Sequence, residues 1–220
     1  MDYHERVHKV LRRIKNAEQN SPFHENIKLI AVSKMVTSTQ IAELYKLGCT
    51  AFGENKIQSL DEKCKELYTL SIEWHFIGRL QTNKINRLIE LNPALIHSCD
   101  SLELALEINK RVKERRLDVL LQINSAREDT KAGVLPESAL KTYEEILKNC
   151  PKLNLKGVMS IGAHTEDISV IQKSFETTRE IYERVMSLGA KYCSMGMSGD
   201  FELAIKCGAN IIRLGSVLFK

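Results

Sequence analysis

The chain alternates short apolar runs with longer amphipathic, charge-rich segments from one end to the other. We interpret eight apolar runs as buried strands, at residues 28–33, 50–53, 73–78, 95–99, 118–124, 155–160, 192–196 and 210–214. Amphipathic helices are predicted after the first seven, at residues 38–48, 56–70, 82–91, 101–116, 136–149, 167–188 and 200–208. Strict alternation of strands and helices indicates an α/β protein with a parallel sheet.

The chain length favours one form of that sheet. Eight strands within 220 residues fit the compact end of the (β/α)8 TIM barrel range. An open, doubly wound sheet is the competing architecture. A further helix is predicted at about residues 2–20, before the first strand. Because no linker or low-complexity tract interrupts the pattern, we predict a single domain spanning residues 1–220.

Several predicted helices carry recognisable end signals. Ser101 precedes an apolar-periodic segment and is predicted to be its N-cap. Gly48, Gly189 and Gly208 follow helical segments, where glycine commonly ends a helix. These signals support the helix assignments independently of the apolar pattern.

The composition narrows the class of protein. A net charge of +4, with both signs interspersed, is too mild to predict nucleic-acid binding. No apolar segment approaches the roughly 20 residues of a membrane helix, and we expect no signal peptide. Six scattered cysteines without a CxxC pair favour reduced thiols in a cytoplasmic protein rather than disulfides or a zinc site. The charged helix faces favour a monomer.

Polar residues gather where the predicted strands end. In a parallel barrel these ends meet at one rim, where active sites form. Such residues follow nearly every strand: Ser33, Lys34, Glu54, Asn55, Asp100, Asn124, Ser160, Ser198, Asp200, Arg213 and Ser216. This convergence predicts a polar pocket at the carboxyl ends of the strands.

The last two loops of the predicted barrel resemble an anion site. Ser198-Gly199-Asp200 opens a helix, whose first backbone N–H groups are free to bind an anion. Gly215-Ser216 follows the last strand in a similar way. Phosphate binding by the loops after strands seven and eight recurs in this fold. The alternative is that Ser198 and Asp200 only cap the helix.

Lys34 directly follows the apolar run of KLIAVSKMVT, where an unpartnered charge is unfavourable. In a phosphate-binding pocket it could be a phosphate contact or a Schiff-base amine. Burial and a nearby cation, which Arg213 could supply, would favour the neutral amine that imine chemistry needs. Otherwise its aliphatic stem lies along the strand end with the amine in solvent.

Several motifs together resemble a known family. AVSK, FGEN, WHFIGRLQTNK, SMGMSGDFELAI and IIRLGS occur in the order and spacing of the YggS/PROSC family of pyridoxal 5′-phosphate (PLP) homeostasis proteins. The resemblance covers essentially the whole chain. It implies a fold-type III PLP barrel, similar to the N-terminal domain of alanine racemase.

The resemblance also implies roles for individual residues. Lys34 would hold PLP as a Schiff base, and Arg213 would lie against the pyridine nitrogen. His75 would pack under the cofactor or hold the pocket wall, and Ala31 would line the barrel interior beneath the ring. The implied cofactor-binding residues are Lys34, Asn55, His75, Ser198, Gly199, Arg213, Gly215 and Ser216.

The implied function is PLP homeostasis, with the protein buffering or delivering the cofactor, and PLP-dependent apo-enzymes are possible recipients. An always-charged Arg213 leaves the pyridine nitrogen unprotonated and weakens PLP as an electron sink. A racemase needs acid–base groups on both substrate faces, and the sequence shows no partner for Lys34. In alanine racemase a tyrosine from a C-terminal β-domain fills that role, and this chain ends just after strand eight. We therefore predict no catalytic residues and no dedicated turnover.

Two alternatives remain open at this stage. The first is a PLP-dependent racemase or amino-acid lyase on the same scaffold. The second is a Schiff-base aldolase or sugar-phosphate enzyme without PLP, which would leave Arg213 without its expected partner.

Three further signals are given ordinary interpretations. His4, Glu5 and His8 form HExxH, but we expect a solvated helix face and no metal. A basic run, Arg111, Lys113, Arg115 and Arg116, is expected at an exposed helix end, with a docking patch for an acidic partner as the alternative. The loop at residues 125–133 contains Lys131-Ala132-Gly133, a likeness to the family's KxG element. It could gate the pocket, offer a secondary contact for PLP, or be a plain solvated loop.

Overall fold

A computed structural model describes residues 3–220 and shows a closed barrel of eight parallel strands. The strands neighbour one another in chain order, and the first pairs with the last. Their bounds are β1 Lys28–Val32, β2 Ala51–Glu54, β3 Glu73–Phe76, β4 Leu95–Cys99, β5 Leu117–Ile123, β6 Leu153–Ser160, β7 Tyr192–Ser194 and β8 Ile211–Leu214. The predicted (β/α)8 barrel is therefore confirmed, and the open doubly wound sheet is excluded.

Helices follow the strands and pack around the outside of the barrel. They are α1 Tyr3–Gln19, α2 Ser38–Lys46, α3 Ile57–Glu66, α4 Ile85–Leu91, α5 Leu102–Arg111, α6 Pro136–Asn149, α7 Ile168–Met186, α8 Phe201–Lys206 and α9 Ser216–Phe219. A short 3-10 helix, Thr82–Lys84, leads into α4. Helix α1 is the extra N-terminal helix, and residue 2 of its predicted span lies outside the described residues.

The end signals read from the sequence have the expected geometry. The Ser101 hydroxyl accepts a hydrogen bond from the Leu104 backbone N–H at 3.1 Å and caps α5. Gly48, just beyond α2, has a φ of 92°, a left-handed conformation that glycine adopts without steric cost. Among residues 3–220 no helix is both long and apolar enough to cross a membrane.

Two predicted helices are clearly too long. Helix α3 ends at Glu66 rather than at residue 70. Helix α5 ends at Arg111 rather than at residue 116, because Val112 leaves the helical conformation at φ −68° and ψ 129° and is buried. Lys113, Arg115 and Arg116 therefore lie in the connection to β5, and the expectation that they form a helix end is wrong beyond Arg111. Helix α9 was not predicted, since only a few residues follow the last strand.

The core has two layers on opposite sides of the barrel wall. The inner cluster contains only residues from the strands and their ends, namely Ile30, Ala51, Leu95, Leu120, Met159 and Ile211 with Ile161 and Tyr192 against them. The outer cluster joins the opposite strand faces to the helices and contains Ala31 and Phe52. The expectation that Ala31 lines the barrel interior is therefore wrong by one residue, since Ile30 has that position.

Candidate functional site

Lys34 lies at the C-terminal rim, two residues beyond β1. The alternation that turns Ile30 inward and Ala31 outward assigns Val32 and Lys34 to the inner side of the wall. Lys34 is exposed, and it forms no hydrogen bond or salt bridge with any of residues 3–220. Its amine is therefore not committed to any structural contact within the described chain.

The residue before Lys34 is held firmly from the outer side of the wall. The Ser33 backbone N–H donates to the Gly53 carbonyl at 3.0 Å, and its hydroxyl donates to Glu54 Oε1 at 2.6 Å. Lys63, on α3, donates to the same Glu54 oxygen at 2.6 Å and to the Ser33 carbonyl at 2.7 Å. Ser33, Glu54 and Lys63 are all buried. We call these three residues the outer clamp; they fix the backbone from which Lys34 projects.

Asn55 follows β2 at the same rim and is half-buried. Its backbone lies directly against Gly78, where an added Cβ would fall 2.0 Å from the Asn55 carbonyl oxygen. Only glycine permits this approach of the loops after β2 and β3. Gly78 of the HFIG motif lies against Asn55, and Gly53 of the FGEN motif lies close to Ile30 and Ile77. These two glycines together fix the position of Asn55.

The loops after β7 and β8 meet at the rim. The Gly215 backbone N–H donates to the Ser198 hydroxyl at 3.1 Å, which ties the two turns together. A Cβ on Gly215 would lie 3.5 Å from the Val32 Cβ, so this turn adjoins the wall that leads to Lys34. A Cβ on Gly199 would have no heavy atom within 4 Å, so open space adjoins this turn.

Four backbone N–H groups of these turns have no acceptor among residues 3–220: those of Ser198, Gly199, Ser216 and Val217. Unpaired donors grouped around open space form a typical anion site. Asp200 occupies the N-cap position of α8, but its carboxylate accepts from the Met197 N–H at 2.6 Å and makes no capping hydrogen bond to the helix. Burial raises the pKa of Asp200.

Arg213 projects from β8 and is only 4% exposed. Its guanidinium donates to the Ser194 hydroxyl at 2.7 Å and to the Ser160 carbonyl at 2.8 Å. Burial lowers the pKa of Arg213 to about 10, while the nearby Asp200 carboxylate acts in the opposite direction. The guanidinium therefore stays protonated at neutral pH, and two of its five N–H donors are used by these bonds.

His75 lies deeper than the rim, inside the barrel. Its Nδ1 is 2.9 Å from His97 Nε2, and its Nε2 is 3.2 Å from Glu73 Oε1. The other ring nitrogen of His97 is 3.1 Å from the Ser194 hydroxyl. Burial lowers the pKa of both imidazoles, that of His97 well below its ordinary value. Both His75 nitrogens are thus engaged within the protein.

The loop at residues 125–133 is attached to the barrel rather than free in solvent. Lys131 donates to the Gly162 carbonyl at 2.6 Å and to Glu128 Oε1 at 2.8 Å. The Lys131 hydrogen bond, joined by one from the His164 backbone, lowers the pKa of Glu128. These bonds hold the loop against the turn after β6 at the same face as the site.

The HExxH signal lies on an exposed face of α1, where His4, Glu5 and His8 all face solvent. Among residues 3–220 no group of three or more His, Cys, Asp or Glu side chains could hold a metal ion. The two histidine rings lie 4.4 Å apart, in a tilted arrangement. This geometry agrees with a solvated helix face.

A cleft at the C-terminal rim contains Asn55 but no other predicted site residue, and another cleft lies at the opposite end of the barrel. A cleft of about 310 Å³ lies beside Asn55, between the loops after β2 and β3, and is lined by Lys56, Arg79 and Lys84 among others. A cleft of about 330 Å³ at the opposite, N-terminal end is lined by Glu73, Trp74 and Asp118. The converging rim residues make the C-terminal face the candidate site.

Comparison with known proteins agrees with the fold. A family model described as "Alanine racemase, N-terminal domain" matches residues 7–220. The alanine racemase of Clostridium difficile superposes with a TM-score of 0.74 at 18% identity, over 97% of this chain and 55% of that one. That likeness shows the fold alone. The fold and the family model place the chain in the class of alanine racemase N-terminal-domain barrels.

Three relatives define the family within that class. The pyridoxal phosphate homeostasis protein of Helicobacter pylori strain J99 is 49% identical over 222 residues, covering 100% of this chain and 99% of the relative. That of Aquifex aeolicus is 40% identical over 221 residues, covering 98% and 96%. PipY of Synechococcus elongatus, solved with PLP bound, superposes with a TM-score of 0.84 at 30% identity and 100% coverage of both chains. The chain belongs to the pyridoxal phosphate homeostasis protein family, as its motifs predicted.

Proposed function

We propose that this protein binds PLP at the C-terminal rim of its barrel and acts in PLP homeostasis. The observation that carries the proposal is the combination at one rim of an uncommitted amine, Lys34, with a buried guanidinium and a group of unpaired N–H donors. The PLP bound to PipY and the names of the relatives support the same assignment.

The residues present fit the chemical groups of PLP. The turns at Ser198-Gly199 and Gly215-Ser216 would bind the phosphate through their unpaired N–H groups and the open space beside Gly199. Lys34 would hold the cofactor through a Schiff base. When bound, PLP supplies an electrophilic aldehyde carbon and a ring that can accept electrons.

Arg213 and Asn55 would bind the pyridine part of the cofactor. A guanidinium donates hydrogen bonds and does not accept them. The pyridine nitrogen would therefore accept a hydrogen bond from Arg213 and would stay unprotonated. Asn55 would lie beside the ring at the rim. His75, one layer deeper, would support the ring from below through packing rather than through a hydrogen bond.

We further propose that the protein buffers or delivers PLP without dedicated turnover. A two-base racemization requires a second acid–base group opposite Lys34. None of the six tyrosines, all within residues 3–220, lies in a loop that follows a strand at the C-terminal rim. Recipients would be PLP-dependent apo-enzymes, in the cytoplasm, with the protein acting as a single-domain monomer. The racemase or lyase and the PLP-free aldolase remain the alternatives.

The proposal is tested by covalent trapping. Purified wild-type protein is incubated with PLP, reduced with borohydride and analysed by absorbance and peptide mass spectrometry. We expect one PLP attached at Lys34, no attachment in Lys34→Ala, and wild-type attachment in Lys46→Ala, which changes an exposed lysine at the end of α2. A wild-type protein that traps nothing would overturn the proposal and favour the PLP-free alternative.

A second measurement separates carrier from enzyme. PLP-loaded protein is incubated with L-alanine or L-serine, and the D-enantiomers and lyase products are measured by chiral chromatography. We expect no turnover above that of free PLP. Conversion at an ordinary enzyme rate, roughly 1 s⁻¹ or faster, would replace the carrier function with the racemase or lyase alternative.

A further inference from the structure

A line of buried polar side chains crosses the barrel interior from Arg213 towards its N-terminal end. It runs from the Arg213 guanidinium to Ser194, then to His97, His75 and Glu73, with successive distances of 2.7, 3.1, 2.9 and 3.2 Å. Glu73 also accepts from Lys28, at the start of β1. The four members from Arg213 to His75 are at most 4% exposed. Such a line inside an otherwise apolar barrel requires that every member be satisfied.

We infer that Ser194 and His97 are positioning residues that orient the Arg213 guanidinium through hydrogen bonds that all run in one direction. Arginine only donates, so the Ser194 oxygen accepts from Arg213 and its own O–H must donate elsewhere. The only acceptor within reach among residues 3–220 is His97 Nδ1. His97 therefore carries its hydrogen on Nε2.

The same reasoning fixes the second imidazole. His97 Nε2–H donates to His75 Nδ1, which leaves the His75 hydrogen on Nε2, where it donates to the Glu73 carboxylate. In the opposite arrangement His97 would donate to Ser194, and the buried Ser194 O–H would lack an acceptor. That arrangement would also place either a lone pair of His75 against Glu73 or a buried charge on His75.

The consequence concerns the donors of Arg213. With Ser194 and the Ser160 carbonyl each accepting one N–H, the guanidinium plane is fixed at two points. Its remaining donors have no acceptor among residues 3–220 and are available to a ligand. Rigid placement of a donor lowers the entropic cost of binding. Loss of this line of hydrogen bonds should therefore weaken ligand binding at Arg213. This last step rests on the proposed function, in which the ligand is PLP.

The tautomers are tested without any cofactor. Protein labelled with ¹⁵N-histidine is examined by long-range ¹H–¹⁵N correlation spectroscopy at neutral pH, with the two resonances assigned from His75→Gln and His97→Gln variants. We expect both imidazoles to be neutral with the hydrogen on Nε2. A hydrogen on Nδ1 of His97, or a doubly protonated His75, would overturn the inferred direction.

Positioning is tested by PLP affinity together with the guanidinium spectrum. Ser194→Ala should weaken PLP binding by about tenfold, the usual effect of losing a hydrogen bond to a charged group, and should average the Arg213 side-chain N–H resonances. His97→Leu should act similarly. His97→Gln should restore part of the affinity, because an amide can accept from Ser194 and donate to His75. Ser21→Ala, which removes a buried hydroxyl far from the rim, should match wild type.

The outcomes separate this inference from the proposed function. Unchanged PLP affinity and an unchanged Arg213 spectrum in Ser194→Ala would overturn the positioning role. If the wild-type protein bound no PLP, the proposed function would fail. The tautomers and the Arg213 spectrum would still decide whether the line of hydrogen bonds orients the guanidinium.

Discussion

Two lysines near β1, on opposite sides of the barrel wall, have opposite surroundings. On the inner side Lys34 is exposed and has no polar partner within residues 3–220. On the outer side Lys63 is 8% exposed and donates to Glu54 and to the Ser33 carbonyl. The outer lysine fixes the backbone, whereas the amine of the inner lysine makes no contact that holds it within residues 3–220. The position of Lys34 is therefore set by the contacts of the residue before it rather than by contacts of its own.

Removal of the outer lysine, Lys63, has the largest expected effect on stability. Lys63→Met leaves the Glu54 carboxylate buried without its counter-ion, and one of its oxygens already has no partner among residues 3–220. We expect the free energy of unfolding to fall by about 3–5 kcal/mol, measured by urea denaturation of the PLP-free protein.

A double variant provides the control for this effect. Glu54→Leu together with Lys63→Met replaces the buried ion pair by apolar side chains, which is often neutral. The double variant should regain most of the stability lost in Lys63→Met. Equal losses in the two proteins would show that the pair itself, rather than an uncompensated charge, accounts for the effect.

A smaller loss is expected where the inner side is shaped by backbone packing. In Gly78→Ala the new methyl group would collide with the Asn55 carbonyl, so the loops after β2 and β3 must separate. We expect a loss of about 1–3 kcal/mol and weaker PLP binding. Gly199→Ala, whose methyl group meets nothing, should keep wild-type stability. Similar denaturation midpoints for the two variants would contradict the close contact.

Acid titrates a carboxylate, Glu73, near the N-terminal end of the barrel interior. The His75 hydrogen bond, assisted by Lys28, lowers the pKa of Glu73 to about 2 from an ordinary value of 4.5. A carboxylate whose pKa is lowered in the folded state stabilises the fold at pH values above its ordinary pKa. This stabilisation is lost as pH falls from 4.5 towards 2.

The expected contribution of Glu73 is modest, because its side chain is 39% exposed. Urea denaturation between pH 4.5 and 2 should show a shallower loss of stability in Glu73→Gln than in wild type. Identical pH profiles would mean that Glu73 titrates normally and that its bonds to His75 and Lys28 do not stabilise the folded protein.

Most of the barrel could be predicted from the sequence, because strand and helix periodicities alternate without interruption. The bounds of β4 and α6 agree residue for residue with the predicted 95–99 and 136–149. The end of α5 was missed because Lys113-Glu114-Arg115-Arg116 continues a helical composition, and only the burial of Val112 ends the helix. Local propensity does not report such a tertiary requirement.

The rim residues were predictable, but the residues that hold them were not. Lys34 and Arg213 were predictable because each places a charge within or beside an apolar run. Lys63 did not, since it lies among charged residues in IQSLDEKCKE, a segment typical of an exposed helix. His97 lies within the apolar run of β4 and belongs to none of the motifs that predicted the site. Its pairing with His75 had one available signal, which is that both histidines occupy inward positions on neighbouring strands.

Removal of the inner lysine, Lys34, has the smallest expected effect on stability. Because Lys34 is exposed and makes no polar contact within residues 3–220, Lys34→Ala should change the free energy of unfolding by less than about 0.5 kcal/mol. The measurement is urea denaturation of PLP-free protein beside Lys63→Met under the same conditions. PLP should raise the unfolding midpoint of wild type by mass action and leave that of Lys34→Ala less affected. A large loss in PLP-free Lys34→Ala would show that the inner lysine also supports the fold, and the division between a fixed outer side and a free inner side would fail.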